Sequence, residues 1–247
     1  LILAEHYGSP EGWLQGDEWD SVMNYDAFME PVTWFLTGME KHSDEYREDL
    51  YGNSDAFIGA MKTHMRSLHM SSLHTAMNEL SNHDHSRFLT RTNRRVGRVS
   101  YAGAQAASEN INTAIMREAI AIQMTWPGAP TLYYGDEAGV CGFTDPDNRR
   151  TYPWGHEDME LLNFYKTMIA IHKKYKMLRS GSLKFLWNDY QGLCYARFSH
   201  TEQMIIVVNN RDEGRDVMIE VWPAGISRLE ESVFTRLVQS SQEGYTD

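Results

Sequence analysis

Short apolar segments alternate with helical patterns along the first 180 residues, and this alternation restricts the fold more than any other feature. The apolar segments, which we predict to be strands, are residues 1–4, 22–25, 74–80 and 131–134. The helical patterns cover residues 26–38, 54–69, 108–126 and 157–174. Strands that alternate with helices form βα units around a parallel sheet. The chain is therefore predicted to be an α/β protein, either a (β/α) barrel or one half of a doubly wound sheet.

Polar and acidic residues follow the predicted strands. Glu5 ends the first strand, His83 and Asp84 follow the third, and Asp136 follows the fourth. The carboxyl ends of parallel strands meet at one edge of a sheet, where α/β enzymes carry their active sites. The Asn-His-Asp sequence at residues 82–84 is by itself more typical of a polar turn than of an active site. It indicates an active site only together with the polar residues at the other strand ends.

The pattern changes after residue 180. Short β-like segments, separated by polar turns, occupy residues 183–187, 193–198, 204–208 and 217–221. Such a series predicts a separate antiparallel unit. We therefore divide the chain into a partial barrel-like domain at residues 1–180 and the start of a β domain at residues 181–247.

The composition excludes several classes of function. Acidic residues outnumber basic ones, 34 to 23, and the formal net charge is −11. Binding to nucleic acid or to an anionic membrane depends on Lys and Arg, so we predict neither partner. No glycine-rich phosphate loop or Cys-x-x-Cys pair occurs, and we predict no cofactor and no metal site. The two separated cysteines, Cys141 and Cys194, favour a cytoplasmic location.

Two carboxylates at separate strand ends, with aromatic residues nearby, are the groups that glycoside hydrolysis requires. One acid protonates the leaving oxygen, and a carboxylate stabilises the oxocarbenium-like transition state. Arg87 and Arg149 are candidate cationic partners for neighbouring carboxylates. Aromatic faces that can stack on sugar rings are available on Trp13, Trp19, Tyr25 and Trp154.

Four stretches together resemble the α-amylase family of glycoside hydrolases, in particular its neopullulanase and cyclomaltodextrinase branch. They are Leu-Ile-Leu-Ala-Glu-His at residues 1–6, Trp-Asp-Ser-Val-Met-Asn-Tyr at 19–25, Asn-His-Asp at 82–84, and Gly-Ala-Pro-Thr-Leu-Tyr-Tyr-Gly-Asp-Glu at 128–137. The resemblance implies an α/β fold in which residues 1–180 form the C-terminal half of a (β/α)8 TIM barrel, strands 5–8. Part of an antiparallel β-sandwich domain follows.

The same resemblance implies roles for individual residues. Glu5 corresponds to the general acid/base, Asp84 to the transition-state stabiliser, and His83 to a substrate contact. Asp145 and Arg149, in the Asp-Pro-Asp-Asn-Arg loop at residues 145–149, correspond to secondary substrate contacts. The implied substrate is an α-glucan or a maltooligosaccharide with α-1,4 or α-1,6 bonds.

The family's nucleophile has no counterpart in this sequence. It is an aspartate on the fourth barrel strand, in a Gly-x-Arg-x-Asp motif upstream of the acid, and no such motif occurs in a matching place. The chain begins at Leu1 within the fifth strand and stops at Asp247 without a closing element. We therefore interpret it as a fragment of a retaining hydrolase and expect the chain alone to be inactive. A cut barrel exposes a strand edge, so we also expect self-association.

Two other interpretations compete with the hydrolase. A non-catalytic carbohydrate-binding or scaffold protein is consistent with the missing nucleophile, but it has no need of intact Glu5, His83 and Asp84. A metallohydrolase with His83, Asp84 and His85 as ligands is disfavoured, because consecutive side chains on a regular strand alternate in direction.

Overall fold

Short parallel strands form an arc that carries the candidate site at one edge. The computed structural model describes residues 1–227 and 231–247. The strands are β1 (Leu3–Ala4), β2 (Ser21–Val22), β3 (Met77–Glu79) and β4 (Ala129–Thr131). β1 pairs with β2 and β3 with β4, and a parallel bridge between Met23 and Met77 joins the two pairs. The strands thus follow one another around the arc in chain order, as βα units require.

Helices connect and cover these strands. The α-helices of the described residues are α1 (Glu30–Thr37), α2 (Ser54–Arg66), α3 (Met70–Thr75), α4 (Phe88–Arg91), α5 (Val99–Ala102), α6 (Thr113–Thr125), α7 (Met159–Lys174) and α8 (Met177–Ser180). A π-helical turn, Tyr25–Met29, leads into α1, where Pro31 occupies the first turn as its missing N–H allows. None of the helices in the described part of the chain is both long and apolar enough to cross a bilayer.

Several predicted boundaries were wrong. The predicted strand at residues 74–80 begins as helix α3, and only the three residues of β3 pair with β4. Helix α6 begins at Thr113 rather than at residue 108, because the Asn112 side chain caps it by accepting from Ala114 N at 2.9 Å. Between α4 and α6 lie α5 and a 3₁₀ turn, Ala104–Ser108.

Strand β4 begins earlier than the predicted segment at residues 131–134. Gly128 enters it with φ +136, and a Cβ there would lie 2.4 Å from Asn78 Nδ2, so only glycine permits this close approach. Ala129 N then donates to Ala76 O at 2.8 Å, which sets the register with β3. The strand therefore starts where the chain first reaches the β3 backbone.

Residues after 180 form antiparallel structure, as predicted. The strands are β5 (Ser182–Asp189), β6 (Gly192–Phe198), β7 (Gln203–Asn209), β8 (Gln239–Ser241) and β9 (Gly244–Thr246). β5, β6 and β7 form a meander, and β8 pairs with β9. Residues 217–221, predicted as a further strand, form none, and β7 pairs with β6 alone among the described residues. Residues 228–230 of the predicted β domain lie outside the described residues.

Trp126 joins the helices to the antiparallel sheet. Its fully buried ring lies 5.9 Å from the Phe57 ring of α2, 5.8 Å from Phe185 of β5 and 5.2 Å from Tyr195 of β6. The Tyr195 hydroxyl is also 2.6 Å from Thr125 Oγ1. One hydrophobic core therefore extends across residue 180, and the division into two domains there stays a prediction.

Replacement of Trp126 by Ala is expected to destabilise the whole chain. The loss of a buried Trp side chain typically costs about 3–5 kcal/mol, because a cavity remains where three aromatic contacts were lost. Urea unfolding followed by circular dichroism measures the change. The matched control is Trp154→Ala, since Trp154 is 79 % exposed and its loss is expected to change stability by less than about 0.5 kcal/mol. Equal effects of the two substitutions would contradict the assigned core.

Candidate active site

Glu5, His83 and Asp84 meet at the carboxyl edge of the parallel strands. Glu5 directly follows β1, and the other two lie in the loop after β3. His83 Nε2 is 3.0 Å from Glu5 Oε1 and 3.5 Å from Asp84 Oδ1. The three side chains are 38–42 % exposed, so a ligand can reach them from solvent. The structure therefore brings together the three residues that the sequence singled out.

The Asn82 side chain shapes the loop that carries His83 and Asp84. Its Oδ1 accepts from Asp84 N at 3.0 Å and from His85 N at 2.9 Å. Its Nδ2 donates to Glu79 Oε1 at 3.0 Å and to the Tyr25 hydroxyl at 3.2 Å. Because both ends of the buried amide are engaged, the loop is held in one turn with Asp84 facing Glu5.

Two stacked tyrosines orient the carboxylates. The Tyr7 hydroxyl donates to Asp84 Oδ2 at 3.1 Å, and the Tyr25 hydroxyl donates to Glu5 Oε1 at 3.5 Å. The two rings are 4.8 Å apart and nearly parallel. The pKa of Tyr7 is raised to about 12, chiefly by burial and secondly by the hydrogen bond to Asp84. Its hydroxyl therefore remains a donor at neutral pH.

The loop after β4 supports the loop after β3 from the opposite side. Asp145 N donates to Asp84 O at 3.1 Å, and Thr144 Oγ1 donates to the same carbonyl. Asn148 Nδ2 donates to Asn82 O at 3.1 Å and to His85 O at 2.7 Å. The loop of the predicted secondary contacts therefore lies directly against the Asp84 loop.

Asp145 and Arg149 pair with each other in this structure. Arg149 Nε donates to Asp145 Oδ1 at 2.5 Å, and both side chains are about half exposed. Their role as substrate contacts stays a prediction. Arg87 is also paired, but with Asp136 at 3.0 Å, and it is fully buried. Each arginine thus pairs with a neighbouring carboxylate, as predicted, and that carboxylate is Asp136 or Asp145 rather than Glu5 or Asp84.

His85 is a structural residue. It is fully buried, and burial lowers the pKa of its imidazole to about 2, so it is neutral. Its ring packs edge-on against Tyr25 at 5.3 Å and His42 at 4.7 Å. Because its side chain is enclosed by these rings while His83 faces Glu5, it does not complete the His-Asp-His ligand set of a metallohydrolase.

Of the predicted sugar-stacking aromatics, Trp13 and Trp19 form a platform beside the site. Their rings stack at 5.1 Å, and His6 lies 4.7 Å from Trp13. Trp13 is 40 % exposed. Tyr25 was wrongly predicted as a stacking face: it is 2 % exposed, and its ring is covered by Tyr7 and His85.

Comparison with known proteins decides the family. The alpha amylase catalytic domain matches residues 1–155, which is more than half of the chain. The chain belongs to the α-amylase family. The predicted resemblance to its neopullulanase and cyclomaltodextrinase branch is likewise confirmed by the relatives.

Two curated relatives of the α-amylase family are longer than this chain. Neopullulanase 2 of Thermoactinomyces vulgaris is 34% identical over 230 residues, which is 91% of this chain and 34% of the relative. Cyclomaltodextrinase of Thermoanaerobacter pseudethanolicus is 31% identical over 213 residues, 85% of this chain and 32% of the relative. The chain thus spans about one third of the length of these relatives.

A solved α-amylase family structure has the same fold over most of the chain. The debranching enzyme from Nostoc punctiforme superposes with a TM-score of 0.75 at 26% identity, covering 91% of this chain and 44% of that enzyme. Such neighbours are TIM-barrel enzymes, so the predicted α/β fold is confirmed as part of a (β/α)8 domain.

Tyr7, Asn148 and Glu79 were not among the predicted site residues of this α-amylase family chain. The only local signal for Tyr7 is its place two residues after Glu5, in the bend that follows β1. Asn148 and Glu79 both contact Asn82. Asn148 lies 66 residues from it in sequence, and Glu79 lies three residues from it. No local pattern distinguishes those contacts.

Glu79 is a buried carboxyl beneath the site, only 3 % exposed. Burial raises its pKa from 4.5 to about 8, and the Asn82 hydrogen bond opposes the shift only in part. The unfolded chain therefore releases this proton at lower pH than the folded chain does. The resulting contribution to stability is fully present below pH 4.5 and is lost as pH rises towards about 8.

Glu79→Gln is expected to remove this pH dependence. At pH 4 the variant should match the parent chain, and at pH 9 its free energy of unfolding should be higher by roughly 3–5 kcal/mol, from 1.36 kcal/mol per pKa unit. Urea unfolding at a series of pH values measures both. The control Glu48→Gln changes an exposed carboxylate and should leave the profile unaltered. Parallel profiles for Glu79→Gln and the parent would contradict the buried acid.

Proposed function

We propose that this chain forms the acid/base and transition-state-stabilising side of the active site in a retaining α-glucan hydrolase. The observation that carries the proposal is the convergence of Glu5, His83 and Asp84 at the carboxyl edge of β1 and β3, within a chain of the α-amylase family. We further propose that β1 to β4 are the last four strands of an eight-stranded barrel and that β5 to β9 begin a β-sandwich. The parallel order of β1 to β4 supports this assignment.

Each residue has a role that fits its position. Glu5 is accessible to solvent and acts as general acid towards the glycosidic oxygen, then as general base towards water. Asp84 stabilises the positive charge that develops on the sugar, with Tyr7 orienting its Oδ2. His83 lies between the two carboxylates and donates to a sugar hydroxyl. Asp145 and Arg149 provide contacts further along the glucan.

The covalent step requires a further carboxylate. In a retaining glycosidase the nucleophile lies ~5–5.5 Å from the acid. Asp84 approaches Glu5 to within 4.8 Å, but the family resemblance assigns it to charge stabilisation. No Gly-x-Arg-x-Asp motif is present in a matching place to supply the nucleophile. We therefore propose that the 247-residue chain alone does not turn over glucan.

The relatives and the aromatic platform support the substrate class that we propose. The relatives are named as a neopullulanase and a cyclomaltodextrinase, and the solved neighbour as a debranching enzyme. For this chain we propose α-glucans or maltooligosaccharides with α-1,4 or α-1,6 bonds. The stacked Trp13 and Trp19 rings offer the hydrophobic face that a glucose ring requires.

The proposed function is tested by supplying the nucleophile. A polypeptide that joins this chain to an upstream segment with a Gly-x-Arg-x-Asp motif is expected to release reducing sugar from maltodextrin or pullulan. Glu5→Gln in that protein should lower kcat by about 10²–10⁴-fold through loss of acid/base catalysis. The 247-residue chain alone should release none. The control Glu48→Gln should retain activity. Undiminished turnover with Glu5→Gln would reject the role of Glu5, and absence of turnover in the joined protein would favour a non-catalytic glucan-binding role.

We also propose that the chain alone self-associates through β1. Leu1 is 88% exposed and Ile2 57%, and β1 pairs only with β2 in the described part of the chain. An apolar strand with an unpaired edge is a template for further strand pairing. Ile2→Lys should therefore shift the sedimentation distribution towards the monomer. The control Met70→Lys changes an apolar residue, 64% exposed, outside this edge, and should leave the distribution unchanged. A monomeric parent chain would overturn the proposal.

A further inference from the structure

We propose that Glu5, His83 and Asp84 form a binding site for one divalent ion of the first-row transition metals, and that the site prefers Zn²⁺. Each residue offers one ligand atom, and the three atoms lie within 4.8 Å of one another. Across residues 1–227 and 231–247, no other group of three His, Cys, Asp or Glu side chains comes as close together. The sequence analysis disfavoured His83, Asp84 and His85 as metal ligands, and the structure places Glu5, not His85, beside His83 and Asp84.

The ligand spacing suits a small ion. Zn²⁺ binds imidazole nitrogen and carboxylate oxygen at about 2.0–2.2 Å in a tetrahedral arrangement, which places two ligand atoms ~3.4 Å apart. His83 Nε2 is 3.0 Å from Glu5 Oε1 and 3.5 Å from Asp84 Oδ1. Two of the three ligand pairs thus already lie near the zinc spacing, and the third pair, Glu5 and Asp84, lies within 4.8 Å and closes on the ion by side-chain rotation. The partial exposure of all three leaves room for a water as the fourth ligand.

Neighbouring groups already hold the ligands in place. The Tyr7 hydroxyl binds Asp84 Oδ2, which leaves Oδ1 directed to His83. The Asn82 amide fixes the backbone of the loop through Asp84 N. Outer contacts of this kind orient metal ligands and reduce the entropy lost on binding.

Charge and ligand type select the ion. Two carboxylates and an imidazole, which binds a metal in its neutral form, offer the negative charge that a divalent cation neutralises. Ca²⁺ takes six to eight oxygen ligands, and this site offers two carboxylates and a nitrogen. Mixed imidazole and carboxylate ligands are typical of Zn²⁺ and its first-row neighbours. The ammonium group of Lys41 lies nearby, 5.3 Å from the Tyr7 ring. It does not offset the negative charge of the site, because it is paired with Glu30.

Occupation of this site by zinc excludes glucan. The ion would use the carboxylates of Glu5 and Asp84, to which we assigned proton transfer and charge stabilisation, so zinc and glucan compete. This consequence rests on the proposed function, whereas zinc binding itself does not. The site thus acts as an inhibitory metal site within the catalytic edge of the sheet.

Isothermal titration of the 247-residue chain with ZnCl₂ tests the site directly. We expect one zinc per chain and no comparable binding of CaCl₂. His83→Gln should weaken zinc at least ~10-fold, the smallest loss typical of disturbed metal coordination. Asp84→Asn, nearly isosteric, should also weaken it and carries the test if His83→Gln does not fold, as judged by circular dichroism. The control His200→Gln changes an exposed histidine and should leave the affinity unchanged.

The outcomes separate the metal site from the proposed function. Equal zinc affinity in the parent chain, His83→Gln and Asp84→Asn would overturn the metal site, as would absence of zinc binding. Weaker apparent zinc affinity in the presence of maltotriose would support both proposals. Zinc binding that His83→Gln abolishes and that saturating maltotriose leaves unchanged would uphold the metal site and contradict the glucan site.

Discussion

The side-chain amide of Asn82 is the contact on which the geometry of the candidate site depends. It accepts from two backbone N–H groups of the His83–His85 turn and donates to Glu79 and Tyr25 beneath it. A buried amide with every bond satisfied specifies one orientation, because a reversed amide would leave donors facing donors. Asp84 can therefore face Glu5 from a loop that has no regular secondary structure of its own.

A second set of buried polar contacts joins the ends of β3 and β4. Arg87 binds Asp136 and the Tyr134 carbonyl, while Asn148 reaches the carbonyls of the Asp84 loop. Buried ion pairs contribute little net stability, because desolvation of the charges offsets their attraction. The effect of the Arg87–Asp136 pair is therefore to fix the two loops relative to each other. The site is thus supported from beneath by Asn82 and laterally by Arg87 and Asn148.

Sequence patterns predicted which helices and strands form better than they predicted the residues at which these begin and end. The helix now seen as α6 and three of the four antiparallel segments predicted after residue 180 were confirmed, since both depend on the local period of apolar residues. The strand expected at residues 74–80 was reduced to Met77–Glu79, because pairing with β4 decides where it begins. The strand expected at residues 217–221 failed for the same reason: strands need partners, and local pattern does not specify them.

The sequence by itself determined the family motifs, the parallel α/β order and the three polar residues Glu5, His83 and Asp84 as candidates. These depend on residue type and short spacing, which a chain carries before it folds. Only the tertiary structure decided that the Tyr7 hydroxyl meets Asp84, 77 residues away, and that Glu79 is a buried acid. It alone placed Glu5 with His83 at the spacing of metal ligands. Such contacts depend on how loops from separate strands are oriented at one sheet edge, and that orientation is set by packing over the whole fold.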